Sequence, residues 1–161
     1  YKLPEAQLDR FLLKTSIGYP DLESAERILA GSADRNPSAR LSPVITGQAV
    51  ADMADLAATT HTDPAVLRYV AELAENTRKS GDVRLGVSVR GAISMIRIAK
   101  VWAASQGRRF VTPDDILHLA GPVWSHRVVL DPEAEFAGTT PESVIARVVE
   151  DTTAPQQRLT A

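Results

Sequence analysis

Between residues 64 and 79, Val66, Leu67, Val70, Leu73 and Ala74 fall on one stripe while Arg68, Glu72, Glu75 and Lys79 fall opposite. That spacing predicts a helix with a single buried face. Segment 89–106 is apolar over a wider arc. Ala92, Ile93, Ile96, Ala99 and Ala103 make one stripe, and Met95, Ile98 and Trp102 make a second beside it. Such coverage predicts a helix packed on more than one side, at the centre of a bundle, with Trp102 in the core. Local punctuation supports the helical reading. Thr112-Pro113-Asp114-Asp115 places a hydroxyl cap before proline at the first helical position, with acids in the first turn. Asp63-Pro64 and Thr140-Pro141-Glu142 repeat it, and Asp21 and Thr46 are further caps. The helices expected are 4–11, 21–31, 47–58, 64–79, 89–106, 113–120 and 141–150.

One segment has the other period. Leu13, Thr15, Ile17 and Tyr19 alternate with Lys14, Ser16 and Gly18 until Pro20 stops the pattern. This predicts a strand, and a strand needs partners for its backbone groups. Only 109–111 and 127–130 offer short candidates. Segment 1–20 is therefore expected to be the edge of a sheet whose other strands lie upstream, and Tyr1, not an initiator methionine, fits a chain that begins in mid-protein. Residues 32–43 read as a loop and 151–161 as a tail.

Charge and composition narrow the function classes. No apolar run approaches the ~20 residues of a membrane span, and no signal-peptide pattern opens the chain. The absence of cysteine excludes disulfides and thiolate chemistry and agrees with a cytoplasmic location. The net charge of −2 hides a block at 78–109 with eight basic residues against one acid, Asp82. A local basic block points to an anionic ligand or, more blandly, to a solvated face. Within the chain there is no G-x-x-x-x-G-K-[ST] loop, no apolar strand ending in paired acids and no nucleophilic serine setting. His61, His118 and His126 show no metal-ligand spacing, and none is expected to bind a metal.

Two arginines are the candidate site residues. Ser88 reads as the cap of the central helix, which puts Arg90 in its first turn, where free N–H groups and the dipole favour an anion. Gly86 and Gly91 would allow close approach. The same features equally describe a surface arginine at a capped helix start. Arg10 ends the short helix 4–11, where a cation is favoured by the dipole whatever its function, with Leu8 and Phe11 as apolar anchors. Asp9 beside it reads as a local partner.

Several blocks in register resemble one family. Leu-Pro-Glu-Ala-Gln-Leu-Asp-Arg-Phe at 3–11, with Ile17-Gly18-Tyr19-Pro20, resembles the end of the AAA+ core in MoxR-type ATPases. Val-Ser-Val-Arg-Gly-Ala at 87–92 is similar to that family's sensor 2, and 107–116 with Ser125-His126-Arg127 is similar to its lid. The family usually has proline where this chain has Val89. The resemblance implies a mainly α fold: a helical lid over 21–150 with a short α/β remnant of the core at 1–20. It implies ATP and Mg²⁺ as ligands, held mainly by residues upstream, with Arg10 as an arginine finger and Arg90 as a sensor 2 contact. It also implies a homo-oligomeric ring, a hexamer by expectation, acting on client proteins such as those with von Willebrand A-type domains. The alternative is a stand-alone helical binding module whose basic 78–109 segment contacts nucleic acid. The scarcity of interleaved aromatics in that block argues against it.

Overall fold

The computed structural model describes residues 3–31 and 41–155. In chain order these form α1 (Glu5–Leu8), α2 (Leu22–Ala30), α3 (Gly47–Ala58), α4 (Pro64–Lys79), β1 (Val83–Leu85), α5 (Val89–Ser105), α6 (Pro113–Trp124), β2 (Val129–Leu130), α7 (Pro132–Phe136) and α8 (Pro141–Asp151). A 3-10 turn, Ser125–Arg127, joins α6 to β2. The fold is mainly helical, as expected.

Four helices enclose the core. α4 packs on α5, α5 on α6, α6 on α8, and α8 returns to α4. Tyr69, Val70 and Leu73, Met95 and Ala99, Ile116, Val123 and Trp124, and Val144 are each at most 2% exposed. Fully burying a large apolar side chain contributes roughly 1.5–3 kcal/mol, so this cluster carries most of the fold's stability. α3 lies against α5 outside the ring.

Every cap read from the sequence forms. Asp21, Thr46, Asp63 and Ser88 accept from backbone N–H groups one turn ahead. Thr112 and Thr140 build reciprocal boxes with Asp115 and Ser143. A side-chain oxygen at that position satisfies donors that the first turn leaves free.

Some expectations require correction. Residues 13–19 form no strand: Ile17 and Tyr19 are fully exposed, and Lys14 N–H donates to Pro122 O at 2.8 Å. Alternation alone does not make a ladder when no paired strand is present. The sheet among the described residues is instead β1 against β2, antiparallel, with Val83 opposite Leu130 and an irregularity between the two register pairs. Segment 109–111 contributes an isolated parallel bridge, Phe110 to His61. α6 runs through Gly121-Pro122 to Trp124, four residues past the expected end at 120, because a proline near a helix end removes few ladder bonds. Trp102 is only half-buried, at the edge of the bundle, where it stacks on His118 at 4.7 Å; the core tryptophan is Trp124. Ile93 is likewise half-exposed. The expected tail is ordered at its start: Thr152 is buried, donates to Val148 O at 2.7 Å and accepts from Asn76 at 2.9 Å. Most of the expected loop (32–40) and the end of the tail (156–161) lie outside the described residues.

Candidate functional site

The segment carrying Arg90 is fixed from α4. Thr77 Oγ1 accepts from Val87 N–H at 2.9 Å, and Arg78 donates to Val87 O at 2.5 Å. A Cβ on Gly86 would lie 2.7 Å from Arg78 N and Cγ, so only glycine lets β1 leave so close to α4. Ser88 then caps α5 through Gly91 N–H at 3.1 Å, and Arg90 follows in the first turn. Arg90 is exposed and pairs with no acid among the described residues. Gly91 also serves close packing: a Cβ there would lie 2.8 Å from Val87 Cγ1 and 3.2 Å from Arg127 Cδ. Both glycines make room for this chain's own atoms.

Arg10 lies just beyond α1, which ends at Leu8, in a turn closed by its N–H to Gln7 O at 3.1 Å. It too is exposed and without an acidic partner among the described residues. The apolar anchoring expected of Phe11 is not found, since that ring is 56% exposed. Polar bonds hold the segment instead. Arg127 is buried, with its side chain 1% exposed, and donates to Asp9 Oδ1 at 2.6 Å, Asp9 O at 2.7 Å and Phe11 O at 2.5 Å. Its Nε binds Val123 O at 2.9 Å, within its own helix end. His126 Nε2 donates to Phe11 O at 3.0 Å. Burial holds the His126 imidazole below its ordinary pKa, and the nearby Arg127 and Lys14 charges lower it further.

Asp9 is thus no local partner of Arg10. Both of its carboxylate oxygens accept from Ser88 Oγ, at 3.1 Å each, while Oδ1 also takes Arg127. The structure brings the neighbours of both candidate arginines, Asp9 beside Arg10 and Ser88 two before Arg90, into direct contact. Arg127 was not a candidate on the sequence. The only signal for it was its place in the Ser125-His126-Arg127 block, because Asp9 and Phe11, which it holds, lie more than a hundred residues away.

The basic block 78–109 resolves into mostly committed cations. Arg78 and Lys79 meet Glu75, Arg84 meets Glu5 at 2.6 Å, and Lys100 donates to Ala58 O. Arg108 grips Asp115 with two bonds, of 2.5 and 2.8 Å. Burial raises the Asp115 pKa, but Arg108 and the Thr112 cap outweigh it and hold the carboxyl below its usual range. Among the described residues, no cluster of three His, Asp or Glu side chains could hold a metal ion, and no helix is long and apolar enough to cross a membrane.

Comparison with known proteins agrees with this architecture. The model of the AAA lid domain matches residues 75–148, from the end of α4 through most of α8. The uncharacterized protein YeaC of Bacillus subtilis is 35% identical over 158 residues, covering 98% of this chain and 49% of that protein. The chaperone MoxR1 of Mycobacterium tuberculosis is 32% identical over 165 residues, covering 97% of this chain and 43% of that protein. A crystal structure of a "putative ATPase" from Cytophaga hutchinsonii superposes with a TM-score of 0.84 at 26% identity, over 97% of this chain and 50% of that one. The chain therefore spans about half the length of the relatives it matches. The chain thus matches the AAA lid domain over residues 75–148 and resembles MoxR-type proteins over nearly all of its own length.

Proposed function

We propose that this chain is the lid and interface part of a ring-forming ATPase. In it Arg90 contacts nucleotide bound by its own subunit, and Arg10 reaches the nucleotide of the neighbouring subunit. The observation that carries this reading is the contrast in pairing and placement. Five of the eight cations of the basic block are engaged, Arg84 with Glu5 of the preceding segment. Arg10 and Arg90, like Arg97 and Arg109, are exposed and free of acidic partners among the described residues. Of these, only Arg90 stands in the first turn of a capped helix and only Arg10 in a turn held by Arg127. A guanidinium in a helix's first turn adds a planar fork to a site that already favours phosphate. An arginine supplied across an interface stabilises charge on the transferring phosphoryl group. ATP and Mg²⁺ would be held mainly by a phosphate loop and acids outside residues 1–161, since the chain contains neither motif. By the same reading, residues 1–20 are the edge of the nucleotide-binding core, 21–150 the lid and 151–161 a tail. The work done on hydrolysis would be chaperone-like remodelling of partner proteins, in line with the name of the M. tuberculosis relative. Clients with von Willebrand A-type domains are the first to test.

The test separates the two arginines in the full-length protein. Arg10→Ala should lower hydrolysis by roughly 10³–10⁵ while largely sparing nucleotide binding by the same subunit. Arg90→Ala should weaken that binding, read by titration with a fluorescent ATP analogue. Full hydrolysis by assembled Arg10→Ala rings would refute the assignment.

A further inference from the structure

We propose that Asp9 is a positioning residue that locks the Arg10 turn to the start of α5, so that the two exposed arginines sit on one junction. The inference rests on the roles given above to Arg10 and Arg90 and adds a connection between them.

Three observations converge on this junction. The first is the double link through Asp9. Its carboxylate takes the Ser88 hydroxyl on both oxygens at 3.1 Å and the Arg127 guanidinium at 2.6 Å. The second is the shared use of Ser88, whose oxygen also accepts Gly91 N–H at 3.1 Å. The hydroxyl that starts the Arg90 helix is therefore the one that holds the residue next to Arg10. The third is the closeness of packing behind these bonds. Arg127 passes so near Gly91 that a Cβ there would lie 3.2 Å from its Cδ, and Trp124 Nε1 donates to Gly91 O at 3.0 Å.

The consequence concerns communication around a ring. A packed junction whose linking groups are hydrogen-bonded moves as a unit, because a partial shift would strand Asp9, Ser88 and the buried Arg127 guanidinium. A displacement of the α5 start when Arg90 engages nucleotide would be carried through Ser88 and Asp9 to the turn that aims Arg10. The occupant of one subunit's site would then set the placement of the arginine offered to the next. Without the Asp9 side chain the Arg10 turn still has backbone bonds from Arg127 to Asp9 O and Phe11 O, so it stays attached but loses its register on α5.

The experiment uses assembled full-length rings and compares Asp9→Ala with Asp9→Asn, with Arg10→Ala alongside. ATP hydrolysis is measured against ATP concentration, and ring assembly by light scattering. Asp9→Ala should lower kcat at least about tenfold, toward the ~10²-fold that small misplacements can cost. KM should stay within about twofold, because Arg90 still meets its own nucleotide. Asp9→Asn should recover most of the rate, since the amide oxygen can still accept from Ser88. If Asp9→Ala keeps its kcat while Arg10→Ala is crippled, the junction is mere packing and this inference falls, leaving the proposed function intact. An Asp9→Asn ring as slow as Asp9→Ala would overturn it too, by assigning the effect to charge pairing with Arg127. If Arg10→Ala itself hydrolyses ATP normally, the underlying reading fails and takes the junction with it.

Discussion

The two ends of the molecule speak the same helical language with opposite results. From α4 to α8, capped amphipathic helices bury Tyr69, Leu73, Met95, Ile116, Trp124 and Val144 in a shared core. Before them, α2 and α3, capped just as well by Asp21 and Thr46, bury almost nothing. α2 contains no buried residue although Leu22, Ala25, Ile28 and Leu29 line one side of it, and Leu22 and Leu29 are 78% and 71% exposed. In α3 only Ala57 is buried. Beside it an open apolar hollow of about 530 Å³ runs between α3, α4 and α5, lined by Ala54, Leu67, Ile93, Ile96 and Val101. A cap is satisfied by its own turn, but an apolar stripe is satisfied only by another element. The comparison teaches which properties are local and which are not.

Substitutions should break this symmetry of form. The largest effect is expected at Trp124, where truncation to alanine should cost ~3–5 kcal/mol of unfolding free energy. Trp102→Ala should cost less, because that ring is half-buried against His118. Denaturant melts of the two variants measure the difference, and equal losses would contradict the placement of Trp102 at the bundle's edge.

A smaller effect is expected from pH. The folded pKa of His126 lies below 6.5, so its contribution to stability is fully present above pH 6.5 and is lost as pH falls through the lowered value. Asp115 has the same sign: its contribution is present above 3.8 and lost below it. Melting temperature should therefore fall in two windows on acidification. His126→Gln, which can still donate to Phe11 O without titrating, should flatten the upper one. A wild-type slope retained in His126→Gln would show that other groups drive it.

The smallest effect is expected in α2. Ile28→Ser should change the stability of the chain by no more than ~0.5 kcal/mol, as a surface change does. A loss comparable to that at a core position would mean that α2 is covered.

How much of this was legible follows the same division. The caps at Asp21, Thr46, Asp63, Ser88, Thr112 and Thr140 were readable because each acts within one turn. The stripe on α4 was readable in part. Val66, Val70, Leu73 and Ala74 are buried, but Leu67 is 45% exposed and Tyr69 and Thr77 are buried in its place, because the neighbouring helices decide which arc is covered. Trp102 was read as the core tryptophan in place of Trp124, because periodicity places a side chain on a face and does not say how far along the bundle the core extends. β1 is three residues long and depends on Leu130 and Val129 for pairing, so no local pattern announces it. Arg10 and Arg90 were singled out by motif, and the structure places both on the surface. Arg127 was missed as an organiser because its bonds to Asp9 and Phe11 join residues separated by more than a hundred positions.

The central claim is that Arg10 serves the neighbouring subunit, and mixed rings test it most directly. Full-length Arg10→Ala protein would be combined with protein disabled in its own phosphate loop, each inactive alone, and hydrolysis followed after mixed assembly is verified. At some interfaces an intact Arg10 then meets an intact nucleotide site, so activity should reappear. Mixed rings that remain as inactive as their parents would contradict an arginine acting across the interface.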